Sequence, residues 1–443
     1  MEYSKSPVDR WVMEPINRFI SQSTTGGIVL FVAAVIAIFF ANSPWADWYH
    51  HIWENKFGIS FNNEYLFNFT LHHWINDGLM SIFFFVVGLE LKRELTNGEL
   101  ASPKKAMLPI IAAIGGMIVP ALIYLFFNGG TDASHGWGIP MATDIAFALG
   151  VLYILGDKVP TSLKVFLTAL AIADDLGAVI VIALFYTSQI SLIHLGIGIA
   201  LFGLLLLANR LGVKSILFYA IIGIGGIWVA FLLSGVHATI AAVLAAFAIP
   251  TTAKVKESYF SFKLTALRDK FVSIDPEDKQ KELTDVQIHT IEDMAKLANN
   301  AVPPSQRLEH SLHGFVSFIV MPIFALANAA IPISFASGIS NVTLGVAFGL
   351  LVGKVIGVSG LTALLIKLKI VPMPNGMTYF NLLGIGFLAA IGFTMSLFVT
   401  DLAFDIKLHP DFPGQAKLGI LMASLLGGII GYLILTITSK IKK

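Results

Sequence analysis

The sequence has no cysteine and few charged residues. Among 443 residues there is no Cys, and Asp, Glu, Lys and Arg together make up only 13%, against roughly 25% in soluble domains. The lack of Cys excludes disulfides, thiolate metal sites and thiol redox chemistry. The low charge, with a formal net charge of +1, excludes intrinsic disorder and binding to nucleic acid. Function must therefore use carboxylates, Lys, His, hydroxyls and the backbone.

Apolar residues make up 56% of the chain, which indicates an integral membrane protein. A spanning helix needs about 20 apolar residues, because the bilayer offers no water to its backbone polar groups. We predict an all-α polytopic membrane protein with twelve spans in one domain, residues 25–440. The predicted spans are Thr25–Ala41, Trp74–Leu91, Met107–Phe127, Gly138–Leu155, Leu163–Tyr186, Leu192–Ala208, Ile216–Leu233, Val236–Ile249 (short), Gly314–Ile331, Leu344–Ile366, Met377–Val399 and Leu418–Thr436.

The positions of Lys and Arg predict the orientation, because positively charged loops stay in the cytoplasm. With a cytoplasmic N-terminus, 25 of the 29 basic residues fall inside and three outside. The remaining one, Lys354, lies in the middle of a span. Both termini, residues 1–24 and 441–443, are therefore predicted to be cytoplasmic. The first residues lack the apolar core of a signal peptide, so we expect none to be cleaved.

Two longer segments are predicted outside the membrane. Residues 45–73, on the outer side, have strand-like stretches at Ile52–Phe57 and Tyr65–Phe69 around a turn at Asn62-Asn63, a hairpin that would suit dimer contact. Residues 251–307, on the inner side, are charged, and Thr284–Asn299 shows apolar residues at helical spacing. We interpret this inner segment as a solvated loop with one surface helix.

Five ionisable residues lie within predicted spans, where each costs about 2.5–3.5 kcal/mol on insertion and so needs a reason. They are Asp77, Asp144, Asp174, Asp175 and Lys354. Asp174 and Asp175 are adjacent in a helix, and neighbouring helical residues point about 100° apart. We expect one of the pair to find a protein partner, with Lys354 the obvious counter-charge, and the other to line a cavity.

A buried carboxylate beside water binds either a proton or a hard cation, and oxygen ligands suit Na⁺ or Li⁺. Mutually exclusive binding at Asp174 and Asp175 would exchange cation for proton. The alternative is a structural ion cluster, although one pair would suffice for that. No cofactor is implied, and no enzymatic motif is visible.

Two spans are interrupted, one by Gly138, Pro140 and Thr143 before Asp144, the other at Gly384, Gly386 and Gly392. Their matching places suggest an inverted repeat, residues 107–186 against 344–436. Two discontinuous, crossed helices would bring opposed helix ends to the midplane, where an Asp neutralises N-termini and a Lys neutralises C-termini. For Asp144 we prefer this dipole role to direct ion ligation.

The sequence resembles the NhaA-type sodium/proton antiporters over nearly its whole length, Phe19 to Lys440. The family is itself a known example of inverted repeats. The strings that carry the resemblance, in the family's order and spacing, are INDGLMSIFFFVVGLELKREL, MATDIAFALGVL, IADDLGAVIVIALFYT, SGVHAT, RLEHSLH and GFTMSLF.

The resemblance implies a role for each residue. Asp175 is implied as the essential carboxylate for cation and proton, and Asp174 as its partner, alternating between protonation and a salt bridge to Lys354. Asp144 and Thr143 are implied at the crossed segments, and Asp77 near the outer funnel. The resemblance also implies a pH-sensing cluster at the cytoplasmic mouth, formed by Glu90, Arg93, Glu94, Glu309, His310 and His313. His237, in SGVHAT, matches a residue that affects the pH response.

Simpler readings exist for that set. Glu90, Arg93 and Glu94 have the spacing of interfacial ion pairs. His310 and His313 titrate near neutral pH, as any exposed histidine does. His237 is also explained as a hydrogen-bonded histidine at the start of a helix. The sequence also departs from the family: residues 251–307 are longer than in the best-known members, and Val355 replaces a proline common after the spanning lysine.

We therefore expect a secondary antiporter of the bacterial inner membrane, multi-pass and homodimeric through residues 45–73, that expels Na⁺ or Li⁺ for protons by alternating access. The resemblance implies two protons per sodium, so one net charge moves per cycle, worth about 2.3 kcal/mol per 100 mV. Two alternatives stay open at this point, a sodium-coupled symporter of an organic anion and a non-exchanging cation channel or sensor.

Overall fold

The computed structural model describes residues 25–61, 64–187, 190–274, 282–332 and 340–441. Two strands, β1 (Lys56–Phe61) and β2 (Glu64–Thr70), form an antiparallel hairpin. The α-helices are α1 Thr25–Ala41, α2 Ala46–Glu54, α3 Leu71–Asn97, α4 Pro103–Asn128, α5 Ile145–Ile154, α6 Thr161–Phe185, α7 Leu192–Arg210, α8 Ile216–Ser234, α9 Ala238–Ala248, α10 Glu257–Ile274, α11 Asp285–Ala301, α12 Pro304–Asn328, α13 Asn341–Lys367, α14 Tyr379–Ala389, α15 Phe393–Ala403 and α16 Asp411–Ile441.

The helices confirm an all-α polytopic membrane protein. Within the described ranges, nine helical segments are long and apolar enough to cross a membrane, or up to eleven if two bent pairs each count as one span. The short eighth predicted span corresponds to α9, which has 11 residues. Twelve spans remain a prediction.

Glycines bring α4 and α13 into backbone contact. Gly345, Gly349, Gly353 and Gly357 recur every fourth residue along one face of α13, the spacing that lets membrane helices approach closely. A methyl group on Gly353 would lie 2.7 Å from Pro120 Cα of α4, and one on Gly357 would lie 2.9 Å from Gly116 N. This contact fixes the position of Lys354, which lies between these two glycines.

At one end of the bundle, the hairpin end, α1 turns by 115° into α2. The ring of Tyr49 stacks on Phe40, and its hydroxyl donates to Leu326 O of α12 at 2.6 Å. The prediction for this segment was partly wrong: residues 52–54 belong to α2, because the amphipathic helix continues, and β1 begins at Lys56. The turn at Asn62-Asn63 lies outside the described residues.

At the opposite end, the loop end, the described parts of residues 251–303 contain two packed helices, α10 and α11, where the sequence predicted one. Thr284 caps α11 in a reciprocal capping box with Gln287. α11 matches the predicted helix, but Ile288 and Ile291 are exposed. The packed side consists of Gln287, Thr290 and Leu297, because α10, which the sequence reading missed, approaches from there.

Candidate functional site

The two interrupted helices meet at their breaks. The first break, Ala142–Asp144, separates a 3₁₀ helix, Asp132–Met141, from α5. The second, Ala390–Gly392, separates α14 from α15 with a bend of 45°. Asp144 N donates to Ile391 O at 2.7 Å, and Thr143 Oγ1 donates to Ala389 O at 2.9 Å. Donors of the first break thus satisfy carbonyl groups in and just before the second break.

The residues predicted to cause the breaks act differently. Gly138 and Pro140 lie inside the 3₁₀ helix, and Gly384 and Gly386 lie inside α14; only Thr143 and Gly392 are at breaks. Gly384 instead permits packing, since a methyl group there would lie 2.7 Å from Leu435 of α16.

The carboxylate of Asp144 lies at the N-termini of two helices at once. One oxygen accepts from Phe147 N of α5 at 3.0 Å, and the other accepts from Thr394 N of α15 at 3.1 Å and from the Thr394 hydroxyl. Asp144 is 1% exposed. A negative charge between two positive helix ends is the arrangement favoured by the helix dipole.

Asp174 and Lys354 form a buried ion pair. Lys354 Nζ donates to Asp174 Oδ2 at 2.6 Å, and the two side chains are 1% and 3% exposed. A charged pair of this kind needs all its polar atoms satisfied to offset desolvation. The other oxygen of Asp174 has no hydrogen-bond partner among the described residues.

Asp175, the next residue of α6, is buried with both carboxylate oxygens lacking a partner in the described part of the chain. The charges acting on it are those of Asp174, Asp144 and Glu90, all negative, and Lys354, positive. Two consecutive residues of α6 thus carry three buried carboxylate oxygens that have no donor among the described residues. Within the described ranges, no cluster of three or more Asp, Glu and His side chains is arranged to hold a metal.

Lys354 is placed by an unusual helix geometry. Wide π-helical turns, Gly349–Gly353 and Val355–Gly360, lie on either side of it, and such turns often occur at functional sites. With Val355 in place of a proline, α13 runs unbroken past Lys354. The ammonium group of Lys354 pairs with Asp174, not with the C-terminus of a helix. Another lysine, Lys92, does bind a helix C-terminus: its Nζ donates to Phe247 O, at 2.6 Å, and to Ile249 O at the end of α9.

Asp77 lies apart from this site, in a π-helical turn of α3 near the hairpin end. Its carboxylate is 3.1 Å from His73 Nε2, and His72 and His237 also act on its charge. His237 itself precedes the first residue of α9, and its Nε2 is 2.9 Å from Tyr186 O. That position matches the structural reading of a satisfied histidine.

Most of the remaining predicted residues gather at the loop end, on α3 and α12. Arg93 bonds to Glu309 and, at 3.3 Å, to Glu94, while His313 Nδ1 is 3.8 Å from Glu90. His310 is exposed, and it interacts electrostatically with the Glu309 carboxylate. It forms no ion pair with the other described residues. The structure thus joins α3 to α12 at this end through Arg93 with Glu309 and His313 with Glu90, whichever role these groups serve.

Sequence reasoning missed three contacts. Thr394, in the first turn of α15, was not assigned as a donor to Asp144. Lys92 was counted as a loop charge, because its partners are backbone carbonyls far away in sequence. Asp401 was not singled out, although it forms an ion pair with Lys417 at 3.2 Å.

Comparisons with known proteins agree on one family. Residues 17–435 match the family model described as Na⁺/H⁺ antiporter 1. A protein of Wolinella succinogenes named Na(+)/H(+) antiporter NhaA is 47% identical over 427 residues, covering 96% of this chain and 93% of the relative. Relatives with the same name in Oleidesulfovibrio alaskensis and Sulfurimonas denitrificans are 47% and 46% identical, covering 97% of this chain and 95% and 96% of theirs.

Proposed function

Since this chain belongs to the Na⁺/H⁺ antiporter 1 family and is a Na⁺/H⁺ antiporter, we propose that Asp175 and Asp174 form its exchange site. The resemblance found in the sequence is confirmed. The chain is thus a transporter rather than an enzyme, and exchange replaces the symporter and channel alternatives.

The observation that carries the site proposal is that three carboxylate oxygens of Asp174 and Asp175 have no partner in the part of the chain that the structure describes. An unsatisfied buried polar atom is costly, about 1–3 kcal/mol and more when charged. Binding a proton or a Na⁺ removes that cost, and either ion excludes the other. Lys354 neutralises one carboxylate, which leaves one net negative charge for a monovalent cation.

Exchange follows from this competition. When a Na⁺ binds Asp175, the positive charge of the ion also weakens the electrostatic attraction between Asp174 and Lys354. The Asp174–Lys354 ion pair therefore responds to whether the site holds a cation. Asp144 and Thr143 hold the two breaks together beside the site. We propose that α5 and α15 cross there as discontinuous helices, and that movement of these breaks exposes the carboxylates to each side in turn.

Several finer features belong to the same proposal. The chain lies in the bacterial inner membrane, crosses it twelve times and has both termini in the cytoplasm. The loop end therefore faces the cytoplasm and the hairpin end faces outward. Li⁺ replaces Na⁺ at the site. Two protons per cation make transport electrogenic, Asp77 lies on the outer path, and the ion pairs at the loop end, with His237, His310 and His313, adjust activity to pH. Residues 45–73 join two copies.

The test is Na⁺-dependent proton movement in proteoliposomes, with the intact chain, Asp175→Asn and the exposed carboxylate variant Asp405→Asn compared at several pH values. We expect exchange in the intact chain and in Asp405→Asn, and its loss in Asp175→Asn. Exchange that survives unchanged in Asp175→Asn would remove this residue from the site. A membrane potential, positive on the side that receives the protons, should slow exchange if transport is electrogenic.

A further inference from the structure

A second, partly buried ionic cluster lies at the hairpin end. The carboxylate of Asp401, on α15, binds Lys417 Nζ of α16 at 3.2 Å and accepts from Asn76 Nδ2 of α3 at 3.1 Å. His72 Nε2 is 3.5 Å from the same carboxylate. Asp401 and Lys417 are 13% and 14% exposed.

Asn328 of α12 completes the cluster. Its amide donates to Asn76 Oδ1 at 2.9 Å, and its own oxygen is 2.9 Å from His72 Nε2. Four helices therefore meet at one set of polar side chains. Asp401 lies in the last turn of α15, where the helix dipole disfavours a negative charge, so the acid needs a compensating reason.

Close contacts join these helices into two groups. In the first group, Gly386 of α14 approaches Val355 of α13, Gly427 of α16 approaches Phe387 O of α14, and Phe393 N of α15 donates to Ser424 Oγ of α16 at 3.2 Å. α3 instead packs tightly on α9, where a methyl group on Gly88 would lie 2.8 Å from Ala246. The Asp401–Lys417 pair lies within the first group, whereas the bond from Asn76 to Asp401 crosses between the groups.

Resting on the alternating access proposed above, we propose that Asn76 and Asp401 form a latch that holds the hairpin end closed, with Lys417 compensating the charge of Asp401. Exposure of the exchange site to that side requires the two helix groups to separate. The bond of Asn76 to Asp401 breaks in that step and His72 moves away from Asp401, while Lys417 stays with Asp401 and keeps its charge compensated. Asn76 and Asp401 are thus positioning residues for transport, not ligands of the transported ion.

The chain's lack of Cys permits a direct test with a single reporter, Leu397→Cys. Leu397 lies one turn deeper than Asp401 on α15 and is fully buried. A membrane-impermeant maleimide is added to cells and to inverted vesicles, and labelling of the exposed variant Lys407→Cys identifies the side on which the hairpin lies. No ion gradient is applied, so the readout does not require antiport.

Asp401→Leu and Asn76→Leu should each raise the labelling rate from the hairpin side about tenfold, the shift that loss of one hydrogen bond to a charged group produces. The double variant should label no faster than the faster single variant, because both remove the same bond. Lys417→Met, which leaves the crossing bond in place, and Asp405→Leu, an exposed carboxylate, should leave the rate unchanged.

Two results would overturn the latch: unchanged labelling in both Leu variants, or an equal increase in Lys417→Met, which would mean general loosening of this end. Failure of the exchange-site proposal looks different, since it would leave proton exchange intact in Asp175→Asn while labelling still responds to Asn76→Leu. Because Asn76 and Asp401 lie on different helices, misfolding of one variant leaves the other to decide the question.

Discussion

Replacing Gly353 by Ala should destabilise the protein and disturb the exchange site together. The new methyl group would lie 2.7 Å from Pro120 Cα and 2.9 Å from Pro120 N, whereas ordinary contact begins near 3.4 Å. Both atoms are backbone, so neither can rotate away. The two helices must separate by about 0.7 Å, the difference between 2.7 Å and ordinary contact at 3.4 Å. Overpacking of this kind typically costs about 1–3 kcal/mol of folding free energy.

The same helix supplies a matched control. Gly360 has only Ile356 Cγ2 near its missing methyl group, at 3.9 Å. Ala in place of Gly within a helix gains up to about 1 kcal/mol, so Gly360→Ala should be neutral or stabilising. Gly353→Ala receives the same gain but pays the steric cost, and the two variants should differ by about 1–3 kcal/mol.

Two assays test this prediction. The fraction of folded protein after heating in detergent should fall several degrees earlier for Gly353→Ala than for Gly360→Ala, as an apparent rather than an equilibrium midpoint. Because Lys354 follows Gly353 and bonds to Asp174 at 2.6 Å, Na⁺-dependent proton exchange should also fall in Gly353→Ala alone. Equal stability and equal exchange in the two variants would refute the close approach of α4 and α13.

Three further changes test single contacts. Thr394→Val removes one of the three donors of Asp144 and should cost about 1.5–3 kcal/mol, the value for a hydrogen bond to a charged group, measured as a lower apparent melting temperature and slower exchange. Lys92→Met frees two carbonyls at the end of α9 and should cost about 1–3 kcal/mol in the same melting assay, with Lys105→Met, an exposed lysine, as its control. Thr284→Ala removes the cap of α11 and should cost about 0.5–2 kcal/mol, seen as faster amide exchange in that helix without loss of transport; slower transport would contradict the view that α11 lies outside the exchange machinery.

The sequence was sufficient for the helices because the bilayer allows few choices of backbone structure. A run of about 20 apolar residues must be helical there, so most spans fall near their predicted limits. Outside the membrane this constraint is absent: α2 was assigned in part to a strand, and α10 was missed. α10 has apolar residues on several sides, Tyr259, Phe262 and Val272 being exposed, so no single stripe marks it as a helix.

The candidate site could be predicted as a set of residues but not as a network. A charge within an apolar run is conspicuous in one dimension, which is how Asp144, Asp174, Asp175 and Lys354 were found. Partners that are backbone atoms, or that lie hundreds of residues away, leave no such mark. Lys92 with Phe247 O, and Asn76 with Asp401, 325 positions apart, became visible only in three dimensions.

The contrast between two buried aspartates gives the strongest argument for the division of labour. Asp144 and Asp175 are both 1% exposed, yet Asp144 accepts three hydrogen bonds from α5 and α15, whereas Asp175 accepts none in the described residues. A carboxylate whose lone pairs already meet backbone and hydroxyl donors at two helix ends gains little from a further cation. A buried carboxylate without donors has lost its contacts with water, and a bound cation replaces them. This contrast supports the proposal that Asp175 exchanges ions, whereas Asp144 joins the two broken helices beside it.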